Sequence, residues 1–241
     1  DAKNLKKHIT YLASDKLGGR MTGSANEKIA AKYIEKEFKK LGLKPYNQTF
    51  LQPFSYRFNT NPHDSTAVGD LLNSNNVIGY LDNGANKTIV IGAHYDHLGL
   101  GLGGNSLDAN PENKIHNGAD DNASGTSGLI EIAKTFQKAK DNGVGPKRSV
   151  LILHMTGEEH GLYGSKYYTE NPLFPLKNTV ADINIDMIGR RDDLHKDTNN
   201  YVYVIGSDFL SSELHEITER MNKNYVYLDL DFKYNSKTDP N

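Results

Sequence analysis

Short apolar runs rich in β-branched residues recur at 77–80, 88–93, 149–155, 181–186 and 201–205, and segments with helical periodicity lie among them. A chain that alternates in this way has few means of burying both kinds of element. Strands this apolar need cover on two faces, and helices with one apolar stripe provide it, so the pattern predicts a largely parallel sheet between helical layers. The helical stripes are Leu5, Ile9 and Leu12, then Ala30, Tyr33, Ile34, Phe38 and Leu41, then Leu129, Ile132, Ala133 and Phe136, and finally Leu210, Leu214, Ile217 and Met221. The second is well bounded: Ser24 and Glu27 have the spacing of a capping box, and Gly42 and Pro45 supply stop signals. The polar stretch 58–76 reads as the longest surface connection. A length of 241 residues suits one large α/β domain over 1–241 better than two.

Composition removes several classes of function. With 28 basic and 30 acidic residues the net charge is −2, which provides no positive field for nucleic acid. No apolar run approaches the ~20 residues of a membrane-spanning helix, so no span is expected. Cysteine is absent, which leaves His, Asp and Glu as the only side chains able to hold a transition metal and excludes a thiolate nucleophile. Zero cysteine suits an extracytoplasmic or a cytoplasmic bacterial protein equally.

In an open α/β sheet, side chains just beyond the carboxyl ends of the strands converge on one crevice. Four distant segments bring acidic or imidazole groups there. The run 88–93 leads into His94, Tyr95 and Asp96, where the imidazole suits zinc and an Asp two residues on can orient the ring. One His at a strand end is by itself more often a satisfied polar residue. Asp120 and Asp121 precede the helix of Leu129 and Phe136; such acids are commonly helix caps, but the small residues Gly118, Ala119, Ala123, Ser124 and Gly125 let the backbone approach a ligand, and a carboxylate there can bridge two cations. The run 149–155 delivers Glu158 and Glu159. Adjacent carboxylates at the mouth of an apolar strand repel unless positive charge lies beside them, and a metal allows one to bind the ion while the other takes a proton from water. Asp186 ends the run 181–186, with a turn-starting Asp as the plainer reading.

Together, His94-Tyr95-Asp96, the stretch from Gly118 to Gly125 around Asp120-Asp121, Glu158-Glu159 with Gly161 and Gly164-Ser165, and Ile185-Asp186-Met187 resemble, in order and spacing, the M28 family of zinc peptidases. The opening Leu12-Ala13-Ser14-Asp15, Gly19-Arg20 and Thr22-Gly23-Ser24 is similar to the start of bacterial members, so the likeness runs over nearly the whole chain. It implies a three-layer α/β/α fold with a mixed central sheet, a peptide substrate and two zinc ions. His94 and Asp186 would bind one zinc, Asp121 would bridge both, Glu159 would bind the other, Glu158 would be the general base and Asp96 would orient His94. It further implies a cis peptide bond between Asp121 and Asn122 and, most simply, release of N-terminal amino acids in an extracytoplasmic, periplasmic or secreted, bacterial setting. The family's remaining ligand is a His in a late Ser-Asp-His segment; after Asp186 only His195 and His215 occur, which leads to the expectation of a C-terminally incomplete domain with a weakened second zinc and little activity.

Two rival readings stand beside this one: a glutaminyl-cyclase-like single-zinc enzyme, and a non-catalytic metal-binding domain on the same scaffold. Gly99, Gly101 and Gly104 have dinucleotide-loop spacing, but no amphipathic helix follows, so they read as a loop beside the metal site. Ser124 and Ser127 lie in no G-x-S-x-G elbow. His97, His116 and His160 are expected to line the pocket rather than to bind zinc.

Overall fold

The computed structural model describes residues 1–45, 48–58, 69–101, 106–112 and 114–235. Their contacts divide the chain into two compact units, Asp1–Gly189 and Arg190–Asn241.

The first unit is built on a five-stranded mixed sheet. Its strands β1 (Leu51–Phe58), β2 (Asp70–Leu81), β3 (Thr88–His94), β4 (Ser149–Met155) and β5 (Thr179–Asn184) lie in the order β1-β2-β4-β3-β5. β3 pairs in parallel with β4 and β5, while β2 runs antiparallel to β1 and β4. The polar stretch read as a connection is therefore strand from Asp70 onward, and its part at 59–68 lies outside the described residues. Its polarity has a structural reason: the outer half of β2 pairs only with the edge strand β1, where Phe54 and Tyr56 are buried and the alternating Pro53, Ser55 and Arg57 are exposed.

Successive side chains of the inner strands point to opposite faces, which separates two cores. On one face Val77, Leu81, Ile91, Ala93, Val150 and Ile152 pack beneath helices α1 (Ala2–Leu12), α2 (Ala25–Leu41) and α3 (Gly125–Asp141), which supply Leu12, Ile34, Phe38, Leu129 and Ala133. On the other, Ile78, Val90, Leu151 and Leu153 meet Tyr168 of α4 (Tyr163–Glu170). This is the expected α/β/α layering. α2 begins at Ser24, whose side chain accepts from the Glu27 N–H at 3.0 Å, and ends at Gly42 in the left-handed region. Only half of the capping box forms. The Glu27 carboxylate turns inward instead, accepting from Ser74 Oγ at 2.6 Å and from the Tyr95 hydroxyl, and burial pushes it up to about 7.

The helical face also holds His154, fully buried beside the Phe38 ring at 5.5 Å. Burial pushes its pKa down to about 3 from the ordinary 6.5. Between these values the unfolded chain binds a proton that the folded chain refuses, so stability rises with pH across this window and is lost as pH falls through it. With chelator present, urea unfolding between pH 4.5 and 6 is expected to show a slope of stability against pH shallower in His154→Leu than in wild type by about 1.4 kcal/mol per unit. Parallel slopes would mean that the ring titrates as in water.

The second unit contains a parallel pair, β6 (Tyr201–Tyr203) and β7 (Asp229–Asp231), with helices α5 (Ser207–Leu210) and α6 (Ser212–Met221). Its two imidazoles have partners within the unit. His195 stacks on Tyr201 at 3.8 Å and shares a 2.8 Å hydrogen bond with Asp231, and His215 Nδ1 lies 2.8 Å from Ser207 Oγ. Among the described residues no helix is long and apolar enough to cross a membrane.

Candidate metal centre

The three parallel strands stop nearly level: His94 lies opposite Met155, and Gly92 opposite Asn184. The residues that follow therefore emerge along one edge, and the turn Ala119–Ser124 before α3 brings Asp121 to the same place. His94 Nε2 is 3.2 Å from Asp121 Oδ1, 3.4 Å from Asp186 Oδ2 and 3.9 Å from Glu158 Oε2, and its Nδ1 is 3.4 Å from Asp96 Oδ1. The ring is buried, and neither nitrogen makes a hydrogen bond. Orphaned imidazole nitrogens are costly unless something else satisfies them. Ligand atoms about 2.0 to 2.1 Å from a tetrahedral zinc lie roughly 3.3 Å apart, the spacing found here from His94 to Asp121 and from His94 to Asp186.

The electrostatics agree with this chemistry. Burial disfavours a charged His94, yet the surrounding Asp121, Asp186 and Asp96 outweigh it and hold its pKa far above the ordinary value. Conversely, burial acts to raise Asp121, but His94 beside it brings the carboxyl below its usual range. Asp96 behaves alike and is fully buried. The pocket draws in positive charge.

His94, Asp121 and Asp186 form one group able to hold a cation, and His97, Asp121 and Glu159 form a second, with ligand atoms within 4.8 Å of one another. Asp121 belongs to both. His97, read from sequence as pocket lining, thus stands in the second group, its Nδ1 2.5 Å from Glu159 Oε1. Nothing in its spacing separates it from an ordinary loop histidine. Glu158 belongs to neither group, and its carboxyl is pushed up to about 7, chiefly by burial, with His94 opposing and Asp96, Glu159 and Asp186 adding to it.

Asp120, the neighbour of the shared carboxylate, has different work: its Oδ1 accepts from the Gly189 N–H at 2.6 Å and from Ser124 Oγ at 3.3 Å. Asn122 is buried, and its amide donates to the Ile185 carbonyl at 2.9 Å while its oxygen accepts from Gly125 at 2.8 Å and from Met187 at 3.4 Å. The turn carrying Asp121 is thereby tied to both sides of Asp186. The Asp121–Asn122 peptide bond is cis. Asp96 accepts from Thr22 Oγ1 at 2.8 Å and from the Glu158 and Glu159 N–H groups, each at 3.4 Å, and so ties the loop after His94 to the loop carrying the two glutamates. Sequence reasoning meets Thr22 and Asn122 only inside the family-like motifs and gives neither a role, since a small polar residue in a loop has no period or spacing to betray what it holds.

His116 turns to the Pro111 carbonyl at 3.3 Å, and His160 packs against Phe58 at 4.2 Å and Tyr56 at 6.3 Å. Gly99 and Gly101 have positive φ in the loop following β3, and Gly104 lies outside the described residues.

The profile of peptidase family M28 matches residues 76–239. Among curated proteins the chain is 28% identical over 182 residues to the alkaline phosphatase isozyme conversion protein of Escherichia coli, covering 73% of this chain and 49% of that protein. It is 27% identical over 190 residues to leupeptin-inactivating enzyme 1 of Streptomyces exfoliatus, covering 77% and 36% respectively. The chain thus spans half or less of the length of these relatives. Solved structures with the same fold include a leucine aminopeptidase precursor (TM-score 0.70, 20% identity, 94% of this chain and 74% of that one) and a glutaminyl cyclase (TM-score 0.72, 20% identity, 96% and 75%), both from Bacteroides thetaiotaomicron.

Proposed function

The chain belongs to peptidase family M28, and on that premise we propose that it hydrolyses peptide bonds, releasing N-terminal amino acids at a centre for two zinc ions. The observation that carries this reading is the buried His94 ring, both nitrogens without a hydrogen bond, set at tetrahedral-edge distances from Asp121 and Asp186. Bound zinc supplies Lewis acidity and lowers the pKa of a bound water. His94 and Asp186 would hold the first ion, Asp121 would be shared, and Glu159 would hold the second.

Asp96, buried and 3.4 Å from His94 Nδ1, would orient the ring and leave Nε2, which lies beside Asp121 and Asp186, for the ion. Glu158, outside both ligand groups, accepts the proton of the attacking water and passes it to the leaving amine. Its partly exposed carboxylate suits that exchange, and general base catalysis of this kind contributes about 10² to 10⁴ in rate. An extracytoplasmic bacterial setting, periplasmic or secreted, completes the reading.

The glutaminyl-cyclase fold is equally similar, so the fold leaves the choice open. What favours the peptidase is the second group sharing Asp121, which a single-zinc site has no need of. A non-catalytic metal-binding domain would leave Glu158 without a task. The deciding experiment loads the protein with zinc, measures bound metal, and assays aminoacyl-p-nitroanilides beside a glutaminyl peptide. Since His97 gives the second group an imidazole that the sequence reading did not count, bound zinc with release of nitroaniline is expected in place of the little activity anticipated from the sequence. Cyclisation without aminopeptidase turnover would replace the reading with the cyclase, and zinc without either activity would make it a binding domain.

A further inference from the structure

Arg20 is fully buried, an unusual place for a guanidinium that, among the described residues, makes no direct ion pair, although Asp96, Asp121 and Glu159 lie near enough to favour its charge. Its donors go to backbone carbonyls instead. Nε donates to Tyr95 at 2.8 Å, Nη1 to Asn117 at 2.7 Å and to Leu12, and Nη2 to Gly118 at 3.0 Å. Three segments thus meet on one planar fork: the end of α1, the residue after the His94 ligand, and the two residues that open the turn leading to Asp121. The backbone is arranged to permit this. Gly18, Gly19 and Arg20 all have positive φ, and for the arginine that conformation is one side chains seldom adopt. At Gly19 a Cβ would lie 2.4 Å from the His116 carbonyl oxygen, and at Gly118 one would lie 2.7 Å from Nη2 itself. Arg20 also accepts through its own carbonyl from the His97 N–H at 3.3 Å.

We infer that Arg20 is a positioning residue of the metal centre, a buried clamp that holds the His94 loop and the Asp121 turn at the separation a shared ion requires. The inference rests on the metal reading proposed above. A carbonyl clamp explains why the fork rather than mere charge is wanted, since lysine offers a point charge and cannot span three segments in one plane. It also explains a buried cation beside a site meant for cations. Through space, the Arg20 charge works against a bound metal; through geometry, it works for one. The two roles predict opposite signs when the residue is changed, which makes them separable.

The test measures zinc affinity by competition with a chromophoric chelator, and the d–d absorption of the cobalt-loaded protein, for wild type, Arg20→Lys, Arg20→Gln and Arg20→Met. Leu81→Ala, a core change in β2, serves as a control for lost stability. Positioning predicts that all three Arg20 variants bind zinc 10- to 100-fold more weakly, the usual cost of losing an orienting partner, with an altered cobalt spectrum, whereas Leu81→Ala lowers the unfolding temperature and keeps the wild-type affinity and spectrum. Unchanged affinity in the Arg20 variants, tighter binding in Arg20→Met, or an equal loss in Leu81→Ala would each overturn the assignment. So would a set in which none of the three variants folds, since Arg20 would then belong to the fold rather than to the site. A wild-type chain that takes up no zinc overturns the metal reading and this one with it, while a zinc-binding wild type with indifferent Arg20 variants overturns only this one.

Discussion

Glu158→Gln is expected to keep the zinc content of the wild-type protein and to lose at least a hundredfold in turnover on an aminoacyl-p-nitroanilide. The carboxylate lies near His94 yet outside both ligand groups, so an amide of the same shape leaves the metal untouched. It cannot accept a proton from water, and the general-base contribution of roughly 10² to 10⁴ is what disappears. The loss should fall on kcat with little change in KM, because the substrate's resting contacts are unaltered. Glu159→Gln supplies the contrast: it removes a member of the second group, so metal content falls along with rate. Wild-type turnover in Glu158→Gln would take the residue out of the mechanism.

Asp121→Asn is expected to disable metal binding altogether, whereas the same change one residue earlier leaves it standing. Asp121 is the only residue found in both groups, so one lost carboxylate weakens two positions at once. The effect on zinc affinity should exceed the roughly 10- to 100-fold that an outer partner is worth. Asp120→Asn keeps the ligands and weakens the hold on Gly189 and Ser124, for which a moderate loss of stability and near-native zinc content are the expected results. Metal titration of the pair by calorimetry decides the matter. Equal losses in the two variants would mean that the Asp pair acts as a unit.

The chemistry of the site was legible where a residue type is rare in its setting. An imidazole and acids at the mouths of apolar strands or before a helix stand out, and that contrast raises His94, the pair Asp120-Asp121, Glu158, Glu159 and Asp186 as candidates, while the choice of Asp121 and the role of each residue come from the family resemblance. Roles within the Asp120-Asp121 pair are not legible from this contrast, because they depend on which carboxylate the turn points inward. Spacing alone also hides His97, whose place in the second group follows from the path of its loop. Arg20 lies far from the ligands in sequence and acts through backbone carbonyls, which carry no sequence signature. In the fold, the inner strands are legible because both of their faces are buried. β1 and the outer half of β2 are missed because an edge pair with polar alternation looks like a loop until its partner is known.

The level ends of the three parallel strands have a consequence for how such a centre comes into being. β3 and β5 must be in register before His94 and Asp186 can share an ion, and those strands meet only after α3, β4 and α4 have been laid down between them along the chain. Such non-local pairing is slow, and an unfolded chain offers no local stretch that could capture zinc with the same ligands. On the proposed ligand set a bound zinc would therefore be a ligand of the finished architecture alone, and by mass action each tenfold rise in free zinc above its dissociation constant would add about 1.4 kcal/mol to the native state. Metal supply outside the protein would then set how much of the chain stays folded, independent of whether any peptide is present to be cut.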